Sequence, residues 1–116
     1  MTSPPWSIDY HDGSANGFHA RDAGEGATFE YVPVRPEQSS TGFYSGGEPK
    51  RGAVTTAALD ALWAQIATLE ADGSLRTTER GKGTGAFSLR DATGTRDFIV
   101  KRSPALAAFD ELIARL

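Results

Sequence analysis

Cysteine is absent from this chain of 116 residues, and that gap removes a disulfide framework, a thiolate metal site and a thiol nucleophile together. The compartment stays open, since a domain of this size can be stable in either redox environment. Also missing is any apolar run near the roughly 20 residues needed to cross a bilayer, so no membrane partner is expected. The opening residues, Met1-Thr2-Ser3-Pro4-Pro5-Trp6, have neither the basic stretch nor the apolar core of a signal peptide, which points to the cytoplasm. Positive charge is in the minority, with a net charge of −3. A nucleic-acid partner, which asks for a basic surface, is therefore not expected. There is no Gly-x-Ser-x-Gly elbow, and both histidines lie in the least patterned third of the chain, so an enzyme is disfavoured and no cofactor is expected.

What is present fits one domain with a single core, since 39% of the residues are hydrophobic. Charge is uneven along it. Residues 1 to 48 hold seven acids and two bases, the remainder ten bases and eight acids, so the two parts attract each other across the fold. Residues 1–27 are rich in Gly, Asp, Ser and Ala, with turn signals at Asp12-Gly13 and Asn16-Gly17. They read as an N-terminal arm or irregular hairpin draped on a single domain of residues 28–116, or as a disordered segment.

From Thr28 the aromatic and β-branched residues Phe29, Tyr31, Val32 and Val34 predict a strand, and Thr41 to Ser45 its return partner. The glycine-rich run Gly46 to Gly52 follows as a turn. Leu59, Leu62, Trp63, Ile66 and Leu69 share a helical arc of roughly 120°, beginning at a cap on Thr55 or Thr56 and stopping at a left-handed Asp72-Gly73. Glu70 falls inside that apolar arc, where its head needs water or an arginine. Alternation over Ala86 to Arg90 and Thr95 to Lys101 predicts a hairpin. Its charges suggest pairing Phe87 with Val100, Leu89 with Phe98, Arg90 with Asp97 and Asp91 with Arg96. Ser103-Pro104 starts a second amphipathic helix bearing Leu106, Phe109, Leu112 and Ile113. The expected fold is α+β, a two-layer sandwich of an antiparallel sheet with two helices on one face, in the order β-β-α-β-β-α.

Three groups of residues could carry chemistry. His11, Asp12, His19 and Asp22 gather imidazoles and carboxylates that suit zinc or iron, although their spacing matches no ligand pattern and solvated loop residues explain them as well. Arg80-Gly81-Lys82-Gly83-Thr84-Gly85 has the glycines and bases of an anion cradle. It lacks the phosphate-loop spacing, and a strand follows where a helix should open. Joined by Arg76, Lys50 and Arg51 it would make a basic patch. The third group is Tyr44, Ser45, Gly46, Gly47, Lys50 and Arg51, a segment with an aromatic, two glycines and two bases held between a strand and a helix.

At Phe43-Tyr44-Ser45-Gly46-Gly47, followed by a capped helix, a strand hairpin and a short final helix, the chain resembles the emfourin-like proteins. These are small bacterial proteins whose characterised members inhibit thermolysin-type metallopeptidases. The resemblance spans roughly Phe43 to Leu116. The chain departs from the family in inserting Glu48-Pro49-Lys50-Arg51-Gly52 after the paired glycines and in preceding them with some forty further residues. It implies a non-enzymatic, protein-binding domain, a peptidase among its candidate partners, acting through the 44–52 loop. Two alternatives stand beside it: a small metal-binding or hydrolytic enzyme using His11 and His19, and a self-associating module pairing through open sheet edges, monomer or homodimer.

Overall fold

The computed structural model describes residues 4–35, 37, 42 and 45–116. It is an α+β structure with one seven-stranded antiparallel sheet and two helices. In chain order the elements are β1 (Trp6–His11), β2 (Gly17–Asp22), β3 (Thr28–Val32), β4 (Lys50–Ala53), α1 (Thr56–Ala71), β5 (Arg76–Thr77), β6 (Gly85–Asp91), β7 (Gly94–Val100) and α2 (Pro104–Ala114). Across the sheet the strands run β4-β3-β2-β1-β6-β7-β5. Among the described residues no helix is long and apolar enough to cross a membrane.

The segment expected to drape on the domain instead forms its middle. β1 pairs with β2 on one side and with β6 on the other, and Trp6, Ile8 and Tyr10 alternate into the core. Between them Ser7, Asp9 and His11 point to the opposite face, as the period of two requires. Asp12 closes the β1–β2 turn by accepting from the backbone N–H groups of Ser14 and Asn16.

The partner of β3 is not the expected return strand, most of which lies outside the described residues. It is β4, within the stretch that reads as a turn, with Phe29 opposite Gly52 and Tyr31 opposite Lys50. β4 is exposed throughout. An edge strand open to water needs no apolar alternation, so Lys50-Arg51-Gly52-Ala53 pairs through its backbone without announcing itself.

In the β6–β7 hairpin the observed register sets Phe87 against Phe98, Leu89 against Arg96 and Arg90 against Thr95, two residues away from the charge-matched alignment. A shift of two keeps every side chain on its expected face. The turn decides the choice. Asp91 accepts from the Thr93 N–H and hydroxyl, which tightens the connection to Ala92-Thr93 and stacks Phe87 on Phe98 at 5.0 Å. Arg96 still finds its charges, donating from Nε to Glu70 at 2.6 Å and from Nη1 to Asp91 at 3.0 Å. The Glu70 carboxylate on the apolar arc of α1 is thereby matched by an arginine.

Thr55 caps α1, its side chain accepting from the Ala58 N–H, and Ser103 caps α2 with Pro104 in the first turn. α1 ends on Asp72 in an extended conformation, not on a left-handed glycine. The Asp72 carboxylate accepts from the Ser74 N–H and turns the chain through a short 3₁₀ segment, Gly73–Leu75, into β5. The core joins Leu62, Ile66 and Leu69 of α1, Leu106 and Phe109 of α2, and Ile8, Tyr10, Phe18, Phe87, Leu89 and Val100 of the sheet. Trp63 meets Trp6 edge to face at 5.6 Å, and neither indole N–H group has an acceptor among the described residues.

Candidate functional site

Three segments meet at one end of the sheet: the β1–β2 turn, Pro33–Val34 with Ser45–Gly47, and residues 81–84. Asn16, almost fully buried, organises the first two. Its Nδ2 donates to Asp12 at 2.9 Å and its Oδ1 accepts from the Val34 N–H at 2.7 Å. The Gly46 N–H donates to the Val34 carbonyl at 2.9 Å, and the Tyr31 hydroxyl donates to the Gly46 carbonyl at 2.7 Å. Gly46 is required here by contact and not by backbone angle. A Cβ at this position would sit 1.8 Å from Asn16 Oδ1.

Arg80 ties in the third loop. Its guanidinium donates to the Thr84 carbonyl and hydroxyl, to the His11 carbonyl and to the Asp12 carbonyl. The segment expected as an anion cradle thus spends its arginine on three backbone oxygens and the Thr84 hydroxyl, and its glycines let Gly83 lie against Gly13. Nor does a wider basic patch assemble. Lys50 and Arg51 stand on one edge strand and Arg76 on the other, six strand spacings or about 29 Å apart.

Beneath the loops opens a cleft of about 310 Å³ bounded by the sheet and the last turns of α2. Phe18, Phe29, Tyr31 and Ile113 give it an apolar floor; Asp12, Glu48, Lys50 and Asp110 give it a polar rim. At its back the Tyr10 hydroxyl donates to Asp110 Oδ1 at 2.5 Å, and Arg102 stands 3.8 Å from the other carboxylate oxygen. Burial holds the Asp110 carboxyl above the usual aspartate range, helped by the Asp12 charge and opposed by Tyr10 and Arg102. Burial also raises the Tyr10 phenol, and the hydrogen bond to Asp110 adds to it. This pair fixes α2 on β1 through one partly buried hydrogen bond.

The residues singled out in the sequence are divided by this geometry. Gly46 and Lys50 line the cleft, whereas Arg51 points to the far face beside Glu30, its cross-strand partner. Ser45 accepts from the Gly47 N–H through its hydroxyl. Tyr44 lies outside the described residues. His11 and His19 do come together, with ring centroids 5.7 Å apart, on the face of the sheet opposite the core. Asp12 and Asp22 do not join them: each carboxylate is used in its own turn, Asp22 accepting from the Gly24 and Gly26 N–H groups. Among the described residues no group of three or more histidine, aspartate or glutamate side chains is placed to hold a metal ion. Asp110 and Asn16, central to the cleft, carry no sequence signal beyond an acid on an amphipathic helix and an Asn-Gly turn. No known protein family, characterised protein or solved structure shows a significant match to this chain.

Proposed function

We propose that the chain is a non-enzymatic protein-binding domain that engages an extended segment of its partner through residues 45–52. The observation that carries this reading is the edge of β4, unpaired among the described residues and exposed along its whole length, beside a cleft built from the same stretch of chain. Strand addition at such an edge draws affinity from backbone hydrogen bonds and specificity from a neighbouring side-chain pocket. The clamp on Gly46 supports the reading as well, because it holds the approach to β4 in one geometry before a partner arrives. On this reading α1 and α2 form one layer on the face bearing Ile8 and Tyr10, a two-layer sandwich, and the cleft is where that layer ends.

Pairing of β4 with a second copy is a weaker alternative. A two-fold antiparallel ladder centred on Arg51 would set the two Arg51 side chains directly opposite each other, and like charges in that position oppose association. A thermolysin-type metallopeptidase is the partner class the emfourin resemblance suggests. The test is inhibition of a panel of such peptidases, combined with hydrogen exchange of the chain in each mixture. Inhibition with new protection over 45–53, lost in the Lys50→Glu/Arg51→Glu variant, supports the proposal. Inhibition with unchanged exchange there removes the site, and no inhibition across the panel removes this partner class.

A further inference from the structure

The open face of the β1–β2 hairpin holds an arrangement that neither the core nor the β4 edge requires. In the hairpin register Asp9 lies opposite His19, and His11 opposite Gly17, so the three side chains project on one face around a glycine. His19 Nδ1 is 2.5 Å from Asp9 Oδ1. A carboxylate at Nδ1 accepts the ring proton there and leaves the lone pair on Nε2. Both Nε2 atoms turn toward the same small volume. A Cβ on Gly17 would come 3.0 Å from His19 Nε2 and 3.4 Å from His11 Nε2, so the missing side chain is what keeps that volume open. The rings stand at 76° to each other, which lets two lone pairs converge without stacking.

From this geometry we infer a two-imidazole site for a borderline divalent transition-metal ion, with His11 and His19 as ligands through Nε2 and Asp9 as the residue that positions His19. Imidazole pairs suit Zn²⁺, Ni²⁺ and Cu²⁺, in rising preference toward Cu²⁺. Ca²⁺ and Mg²⁺, which want oxygen ligands, are excluded by the donor set. Two protein ligands leave the remaining positions to water, as an exposed site on a flat sheet permits. Asp97 joins Asp9 and His11 around an adjoining hollow of the same face and adds negative charge that favours a cation. The metal would lie on the other side of the sheet from the cleft, on the face that Arg51 of β4 also reaches, where it lines the hollow beside Asp9 and His19.

The experiment is calorimetric titration of the full chain with NiCl₂ and with CuSO₄, alongside His11→Ala, His19→Ala and Asp9→Asn. One ion per chain is expected. Either histidine variant should lose affinity by at least tenfold, and Asp9→Asn by roughly 10- to 100-fold, the usual effect of removing a ligand-orienting partner. Asp9→Asn should also move the ligand-field absorption of bound Cu²⁺, which a merely structural role would leave in place. Both histidines lie on the open face, so the variants should melt as the parent does. Should one fail to fold, Cu²⁺ broadening of amide resonances in the unaltered chain decides: broadening centred on residues 9–11 and 17–19 supports the site. Broadening centred elsewhere, unchanged affinity in the histidine variants, or no binding overturns it.

Discussion

Replacing Gly46 with alanine is the sharpest probe of the loop clamp. Gly46 does not occupy the left-handed region, unlike its neighbour Gly47 at φ +102°, so alanine meets no backbone penalty and the cost comes chiefly from the clash with Asn16, with a tight 3.0 Å approach to Pro33 Cβ beside it. To relieve a 1.8 Å approach the loop must move away. That movement breaks the Gly46 N–H bond to Val34, the Tyr31 bond to Gly46 and the Asn16 bond to Val34. Three bonds at about 1 kcal/mol net each make a loss of about 3 kcal/mol. With a urea dependence of about 1.5 kcal/mol/M, the midpoint should fall by about 2 M. Tryptophan fluorescence reports the transition, because Trp6 and Trp63 both lie against the core.

The cause is isolated by repeating the change in an Asn16→Ala background. That single variant should cost about 1–3 kcal/mol by losing its own bonds, while emptying the space that the new methyl group needs. There Gly46→Ala should cost under about 1 kcal/mol, giving a coupling of roughly 2 kcal/mol, well above the few tenths seen between independent sites. An equal cost in both backgrounds would refute the clamp as described, and so would a silent Gly46→Ala.

Other expectations concern the α2 contact with the sheet. Because the folded Asp110 carboxyl titrates above its ordinary value of 3.8, the native chain keeps a proton that the unfolded chain has released. Stability from this group therefore declines as pH rises from 3.8 through the folded value. Asp110→Asn keeps an acceptor for the Tyr10 hydroxyl but cannot ionise, so its urea midpoint should vary less over that window. A slope equal to the parent's would show that burial of Asp110 does not govern it. Phe109→Ala removes a fully buried ring packed edge-on against Tyr10 and Phe87 at 5.0 and 5.1 Å. It should cost about 3–5 kcal/mol by chemical denaturation, and a loss under 1 kcal/mol would mean that α2 does not pack as described.

Elements with a strong apolar period were legible from the residues alone. Leu59, Leu62, Ile66 and Leu69 mark the buried face of α1, and Ser103-Pro104 marks the start of α2 within a residue. The faces of β6 and β7 were legible too, but not their register, since opposite charges can be satisfied diagonally or by a third residue, as Arg96 is by Glu70 and Asp91. β1 and β2 were obscured by composition. Gly17, His19 and Asp9 weaken the strand pattern, yet Trp6, Ile8, Tyr10, Phe18 and Ala20 keep a strict alternation into the core. β4 had no pattern to read, being bound only by its backbone.

On the two-layer arrangement proposed above, the cleft follows from a mismatch of widths more than from any motif. Seven strands span about 29 Å across the sheet, while two packed helices cover about 20 Å. On that arrangement the face of the sheet beyond the helices has to tolerate water, and its residues there are of the kind that can. Tyr31 keeps its ring on the floor and spends its hydroxyl on the Gly46 carbonyl; Lys50 extends an aliphatic stem toward the rim; Gly52 offers no side chain at all. A surface left partly apolar beside an unpaired strand edge would ordinarily invite indiscriminate pairing. The charges of Lys50 and Arg51 on that edge, and of Asp12, Glu48 and Asp110 around the cleft, restrict what can approach. If the chain binds as proposed, selectivity for one extended partner segment over another copy of the chain would reside in those five side chains.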